Sequence, residues 1–291
     1  MITLKAPAKI NLFLRLTGKR TDGYNNINTV FQRLALHDTL SFKRITKPEI
    51  VFHCSHPGVP RNKTNLIHKA FYMMQERFNL PGGLDIRLEK KIPLKAGLGG
   101  ASSDAAATII AINRLWNIKL NKYALCDLGK VLGADVPFFL TGDSLAFGVE
   151  RGDKIIRLPS KKQRLYFVLF VFKSGLKTKA VYEKFSYRRQ PRMSLTNIQH
   201  TVIMLPLFLG KKDVSAISRI TYNDLLIPAS ELKPHIAQLL QQLKNKGVQA
   251  AHMTGSGATI YAVCTNRKEA MQLANADISY KNVTPIITYS Y

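Results

Sequence analysis

Between Pro93 and Ile110 the chain reads PLKAGLGGASSDAAATII, with Gly97, Gly99 and Gly100 in four residues, then Ser102 and Ser103, then helix formers. Glycines let backbone N–H groups approach an anion closely, and a helix opening there adds roughly half a positive charge from its dipole. The two serine hydroxyls can donate to phosphate, ligate a magnesium ion, or cap the helix. No Gly-Lys-Ser/Thr follows, so this is not a Walker A loop. Nor is it the dinucleotide fingerprint Gly-x-Gly-x-x-Gly, because Ser102 stands where Gly or Ala is required. On these residues alone two readings stand: a phosphate cradle, or a strand-to-helix turn with a serine cap.

Other reactive groups are sparse. The seven histidines are scattered without HExxH spacing, and Cys54, Cys126 and Cys264 show no metal-type spacing, so no protein metal site is expected. An odd number of distant cysteines fits reduced thiols in a cytosol rather than a disulfide framework. The start, MITLKAPAKINLFLRL, lacks the long apolar stretch and cleavage site of a signal peptide. The runs LYFVLFVF (165–172) and VIMLPLFL (202–209) are far shorter than a membrane span. A cytoplasmic protein without membrane contact is expected.

Charge is the unusual feature. Against 18 acids stand 43 lysines and arginines, a net +25, and Arg151–Arg192 carries thirteen of the cations with two acids, Asp153 and Glu183. Such a field attracts anions, whether nucleic acid, headgroups or nucleotide-like substrates, or it is a solvated basic surface.

The elements that must position the Gly-rich stretch are readable from periodicity. Residues 2–17 read as strands broken at Ala6-Pro7, with Ile10, Leu12, Leu14 and Leu16 alternating. TGKRTDGYNN is turn chemistry, followed by extended structure through Ile45. Leu66, Ala70, Phe71, Met74 and Phe78 fall at helical spacing, and NLPGG ends that helix. LDIRLEKKIP alternates as a strand, so the Gly-rich stretch begins at a strand's end; Ala105, Ile109, Ile112 and Trp116 then share a helix face. A third helix is predicted from an Asn121 cap through Leu125, Leu128 and Leu132 to Gly133. GADVPFFLTGDSLAFGVERGD reads as a turn into short strands, and RLYFVLFVF as a buried strand. SELKPHIAQLLQQLKNKGV reads as an amphipathic helix with Ser230 as cap and Gly247 as stop, and AAHMTGSGATIYAVC as a glycine turn entering a strand. The sum is an α+β protein of two lobes, mixed or antiparallel sheets packed with helices, dividing as 1–158 and 159–291.

Three motifs in order carry a family resemblance: APAKINLFL (6–14), the string from Pro93 to Ala106, and MTGSGATIYAV (253–263). Together they resemble the GHMP kinases, a superfamily that holds ATP on a Pro-x-x-x-Gly-Leu-Gly-Ser-Ser-type loop and places the active site between two lobes. PAKINLFLRLTGKRTDGY, TNLIHKA (64–70), GADVPFF and NDLLIPA (223–229) are similar to the branch that phosphorylates a cytidine-diphosphate-linked methylerythritol on the route to isoprenoids. The resemblance runs from about residue 5 to residue 265 and is loosest over 185–220.

That resemblance implies ATP and Mg2+ as cofactors and a small-molecule substrate whose 2-hydroxyl takes the phosphoryl group. It implies Asp135 as catalytic base and Lys9 as the cation that favours the deprotonated hydroxyl and steadies charge on the transferring phosphoryl. A carboxylate can accept that proton, and a fixed cation counts most where charge develops. Pro93, Leu94, Lys95, Ala96, Gly97, Leu98, Gly99, Gly100, Ala101, Ser102 and Ser103 would form the phosphate loop, with Asn65, Leu66, Lys90 and Leu94 around the adenine. Asn11, Tyr24, Asn25, Thr178 and Tyr182 would hold the cytidine end, with Phe185 a second candidate aromatic. Magnesium would be held largely by phosphate oxygens and water, with Ser102 or Ser103 as a ligand. The family usually reads Asp-Gly-Tyr-His where this chain has Asp22-Gly23-Tyr24-Asn25. Asn carries both a donor and an acceptor and can replace that histidine at a base edge. A monomer or homodimer without nucleic-acid partners is expected. The rivals are another GHMP kinase, of homoserine or mevalonate type, and a basic nucleic-acid binder, suggested by the cationic tract with Tyr166, Tyr182 and Tyr187 interleaved.

Overall fold

The strand β1 (Ile2–Lys19) runs through the middle of the molecule, which a computed structural model describes over residues 1–160, 164–186, 194–277 and 282–291. Lys161, Lys162, Tyr187 and the Arg188–Arg192 part of the basic tract lie outside the described residues. β1 pairs antiparallel with β2 (Asn25–Ile45), and the register shifts between Pro7 and Lys9. The expected break at Ala6-Pro7 is therefore a bulge within one strand. Proline lacks the ladder N–H, and an irregular step absorbs it without ending the pairing.

The first sheet has the order β3-β4-β2-β1-β8, with β3 (Ile50–Cys54), β4 (Gly83–Glu89) and β8 (Tyr222–Asn223); β5 (Leu145–Val149) pairs with β2 and with β6 (Lys154–Arg157). Helices α1 (Leu66–Phe78), α2 (Gly100–Leu115), α3 (Lys122–Leu132) and α4 (Val136–Thr141) enclose a core containing Phe42, Ile86, Phe71, Ile109, Ile112 and Phe138. Residues 136–141 are helical rather than the turn into strands that the sequence suggested. Pro137 sits in the first turn, where its missing N–H costs nothing, so the aromatic run that follows is free to coil.

The second sheet has the order β11-β7-β10-β9, formed by β7 (Tyr166–Phe172), β9 (Ala251–Thr254), β10 (Thr259–Cys264) and β11 (Val283–Tyr289). Phe167 and Leu169 of β7 join a core with Ile10 and Leu12 of β1, while Val168 and Phe170 join another with Leu239, Leu243 and Ile260. This explains the unbroken apolar run: both faces of β7 are buried. The remaining helices are α5 (Thr178–Lys184), α6 (Leu195–Lys211), α7 (Val214–Ile220), α8 (Leu226–Leu232), α9 (His235–Asn245) and α10 (Arg267–Ala274). The helix expected from Ser230 is two helices: Ser230 lies inside α8, and α9 restarts after Pro234. Pro234 cannot donate to the ladder and disfavours helical backbone at Lys233, which ends α8.

Residues 158 and 159 fall in the connection between β6 and β7, and the chain recrosses that level twice. β8 pairs parallel with β1, Phe13 opposite Tyr222. At the C-terminus Leu34 bridges to Ser290, and the Thr288 hydroxyl accepts from the Leu36 amide at 2.9 Å. The two lobes are thus stitched along β1 and β2. No helix among the described residues is long and apolar enough to cross a membrane.

Candidate active site

A cleft of about 1230 Å³ opens between the lobes. On the first lobe it is lined by Lys9, Asn11, Tyr24, Asn25, Gly97, Gly99, Ser102 and Asp135; on the second by Thr178, Tyr182, Phe185, Gly255 and Ser256. The pleat of β1 explains part of this. Ala8, Ile10 and Leu12 turn into the inter-sheet core, so Lys9 and Asn11 face the cleft.

The Gly-rich stretch is a loop from Pro93 to Gly99 followed by α2. Gly99 is the N-cap residue, at φ +72°, and no side chain caps the helix. In contrast α1, α3 and α6 are capped by Asn65, Asn121 and Ser194. The capping alternative left open by the sequence therefore does not apply to Ser102 or Ser103. An uncapped helix start presents its N–H groups and dipole to an anion. Ser102 lines the cleft, whereas the Ser103 hydroxyl is buried with no partner among the described residues.

Gly97 and Gly99 also set the loop's contacts. A Cβ at Gly97 would lie 3.2 Å from the carbonyl oxygens of Thr254 and Gly257, so the loop leans on the glycine turn between β9 and β10. A Cβ at Gly99 would lie 2.9 Å from Lys9 Cγ and 2.9 Å from Phe139 Cζ. The Lys9 amide donates to the Leu98 carbonyl at 2.9 Å, fastening the loop to β1.

Lys9 is 4% exposed. Its Nζ donates to Asn11 Oδ1 at 2.8 Å and lies 3.2 Å from Asp135 Oδ2, over the Phe31 ring. Asp135 precedes α4, and its side chain is one-third exposed, so the carboxylate reaches solvent while the ammonium is sealed behind it. Asn11 lines the cleft and is itself firmly held. Its Nδ2 donates to Thr29 Oγ1 at 2.7 Å, and its backbone amide donates to Thr254 Oγ1 at 2.9 Å. An ammonium has three donors, and two of those of Lys9 are accounted for.

The expected adenine residues lie apart from this cleft. Asn65 spends its amide on local structure, accepting from the Ile67 amide at 3.0 Å and donating to the Pro60 carbonyl at 2.7 Å. Leu66 and Leu94 are half-buried against the core of the first lobe. Lys90 is buried behind α2, where its Nζ donates to Asp38 Oδ2 at 2.5 Å and to Asp104 Oδ2 at 2.7 Å. Asp38 Oδ1 accepts the amides of Lys91 and Ile92 at 2.6 and 2.8 Å, tying the end of β4 to β2. Burial pushes the Asp104 carboxyl up to about 7, against the pull of Lys90 and helped by Asp38. Burial also opposes the charge on Lys90, but the two aspartates hold its pKa above the usual value. Lys90 is thus the floor under the phosphate loop: a Cβ at Gly100 would lie 3.0 Å from its Nζ.

Across the cleft, the Thr178 hydroxyl is 3.0 Å from that of Ser256, joining the start of α5 to the glycine turn. Tyr182 and Phe185 both line the cleft and both pack on the core of the second lobe. Tyr24, at the tip of the β1–β2 hairpin, is 59% exposed. The geometry also shows supports that the sequence reading did not assign. Asn223 donates to the carbonyls of Met253 and Gly255 at 2.9 and 2.8 Å and accepts the Leu225 amide at 2.9 Å, holding the glycine turn. Thr29 and Thr254 fix Asn11. Single hydroxyls within strands leave no local pattern to find them by; Asp38, a charge inside an alternating strand, did leave one.

Comparison with known proteins agrees with this fold. Residues 65–143 match the GHMP kinases N terminal domain, and residues 205–276 match GHMP kinases C terminal. The 4-diphosphocytidyl-2-C-methyl-D-erythritol kinase of Caldanaerobacter subterraneus subsp. tengcongensis is 37% identical over 292 residues, covering 99% of this chain and 96% of that one. The enzyme of the same name from Enterococcus faecalis is 31% identical, covering 93% of each. A crystal structure of 4-(cytidine 5'-diphospho)-2C-methyl-D-erythritol kinase superposes with a TM-score of 0.77 at 28% identity, over the whole of both chains. Homoserine kinase from Cytophaga hutchinsonii shares the fold, with a TM-score of 0.72 at 18% identity over 100% of this chain and 94% of that one. The chain belongs to the GHMP kinases and, within them, to the 4-diphosphocytidyl-2-C-methyl-D-erythritol kinases.

Proposed function

We propose that the protein transfers the γ-phosphoryl group of ATP to the 2-hydroxyl of 4-diphosphocytidyl-2-C-methyl-D-erythritol, giving the 2-phosphate and ADP for isoprenoid synthesis in the cytoplasm. The observation that carries this reading is the Lys9–Asp135 pair, 3.2 Å apart, set where the phosphate loop meets the nucleotide-sized cleft. Asp135 takes the hydroxyl proton as the oxygen–phosphorus bond forms and the bond to the β-phosphate oxygen breaks. Lys9, buried and oriented by Asn11, directs its remaining donor at the phosphoryl oxygens, where a preorganised cation is worth most. In a loose transition state positioning counts for more than base strength, and the struts around Lys9 supply it.

The phosphate loop residues 93–103 receive the ATP phosphates at the uncapped start of α2. Magnesium fits this site only as a phosphate-bound ion: among the described residues no cluster of His, Cys, Asp or Glu could hold it, and Ser102 is the loop side chain facing the cleft. There it would neutralise charge on the ATP oxygens. Tyr24 and an aromatic of α5 or just beyond it, Tyr182 or Phe185, hold the cytosine between the lobes, with Asn25 at the base edge and Thr178 beside it. Stacking of this kind is worth roughly 1–3 kcal/mol per base. The basic tract, as far as it is described, supplies the field that draws in two polyanionic ligands. A coupled assay of ADP release tests the reading: turnover should require the cytidyl substrate and be indifferent to nucleic acid. Turnover with homoserine or mevalonate and none with the cytidyl alcohol would defeat it.

A further inference from the structure

Arg151 has no part in the transfer chemistry, yet the fold fixes it with unusual care. It sits in the turn between β5 and β6, which is docked beside the β1–β2 hairpin: the Ile27 amide donates to the Glu150 carbonyl at 2.6 Å. A Cβ at Gly152 would lie 2.8 Å from Ile27 Cδ1, so the turn is pressed onto the hairpin. The Arg151 guanidinium donates to Asp153 Oδ2 from Nε at 2.9 Å and from Nη2 at 2.5 Å. The Asp153 side chain is 7% exposed, so the anchor itself does not swing. From this anchor the guanidinium lies 5.4 Å from the centre of the Tyr24 ring, and both residues line the cleft.

We propose that Arg151 is a positioning residue for substrate selection: seated on Asp153, it backs one face of Tyr24 and holds the other face open for the cytosine ring. This deepens the reading of the cleft given above and rests on it. Around Tyr24 the hairpin tip makes its own loop contacts, the Arg20 amide to the Tyr24 carbonyl at 2.8 Å and the Tyr24 amide to Asp22 Oδ1 at 3.1 Å. Those bonds fix the backbone of Tyr24 and leave its ring to rotate. A ring that must be ordered at the moment of binding costs affinity, and a cation against its face removes that cost in advance. A swinging gate would need a loose arginine, and two bonds to one buried carboxylate oppose that.

The test compares CDP with cytidine, binding measured by calorimetry or ligand-observed NMR, and pairs it with steady-state kinetics. Arg151→Met keeps the stem and removes the charge. It should weaken CDP and cytidine alike by about threefold to tenfold. The same factor should appear in KM for the cytidyl substrate rather than in kcat or in KM for ATP. Asp153→Asn should act in the same direction, and Arg151→Lys should recover part of the loss. A loss confined to CDP, with cytidine unaffected, would make Arg151 a phosphate ligand and overturn the proposal. Unchanged affinities with a lowered Tm would reduce it to a structural turn residue and overturn it too. Tyr24→Ala separates the levels. If it weakens CDP while Arg151→Met does not, the brace alone fails; if Tyr24→Ala also leaves CDP binding intact, the assignment of the base pocket fails with it.

Discussion

Gly99→Ala is the most informative small change in this molecule. The added methyl carbon would stand 2.9 Å from Lys9 Cγ and from Phe139 Cζ. Carbon atoms rest at about 3.5–4.0 Å, so one neighbour or the loop must give by roughly 0.6–1 Å. Phe139 is buried against the helices of the first lobe and Lys9 is buried beneath the loop, so neither has free space. The φ of +72° adds a left-handed penalty of about 1–2 kcal/mol for alanine. A displacement of about 1 Å at a reacting centre costs on the order of 10²-fold, so kcat should fall by about that factor. Gly247→Ala is the control. It has φ +78° and open space around its Cβ position, so it bears the strain without the clash. Both variants should lose Tm, and Gly99→Ala alone should lose turnover in the ADP-release assay. If Gly99→Ala kept kcat within threefold while losing Tm like the control, the claim that this glycine sets the loop against Lys9 would be refuted.

Asp104 gives a pH prediction. Burial disfavours its charge and pushes its carboxyl up to about 7, well above the usual aspartate range near 3.8. Between those values the native state holds a proton that the unfolded chain has released, so stability falls as pH rises through the window and levels off above it. Urea midpoints at pH 5 and pH 8 should show a drop in the wild type that Asp104→Asn reduces; an identical drop in both would contradict the assignment. Asn223→Ala strands two buried carbonyls of the glycine turn and should cost about 2–4 kcal/mol in urea melts, with parallel loss of activity; a change below 1 kcal/mol would show the turn holds itself. Asn25→His installs the histidine that the family resemblance implies at this position and should sharpen discrimination of CDP against UDP in competition binding, whereas an unchanged ratio would show that position 25 does not read the base.

The parts of this fold legible in the sequence are those where local pattern and tertiary demand agree. Asn121 caps α3 as expected, and the apolar run of β7 is buried on both faces as its composition requires. Local pattern misleads where proline acts: at Pro7 a bulge carries the strand on, at Pro137 the first turn of a helix tolerates it, and at Pro234 it cuts one amphipathic pattern in two. Within the site, Lys9, Gly97, Gly99, Ser102 and Asp135 converge, and the glycine turn of the third motif meets them. Lys90, expected beside the adenine, lies buried between Asp38, 52 residues earlier, and Asp104, an enclosure that nothing local in the sequence shows. Nor does anything local show that Thr29 and Thr254 will hold Asn11 at the cleft wall.

The central claim is that Asp135 and Lys9 act on the transferring group rather than on binding. The direct measurement is single-turnover phosphoryl transfer by Asp135→Asn at saturating ATP and cytidyl substrate, beside equilibrium binding of each. The account predicts dissociation constants within about threefold of wild type and a chemical step slowed by about 10²–10⁴-fold. A chemical step within tenfold of wild type, with both ligands bound, would contradict it.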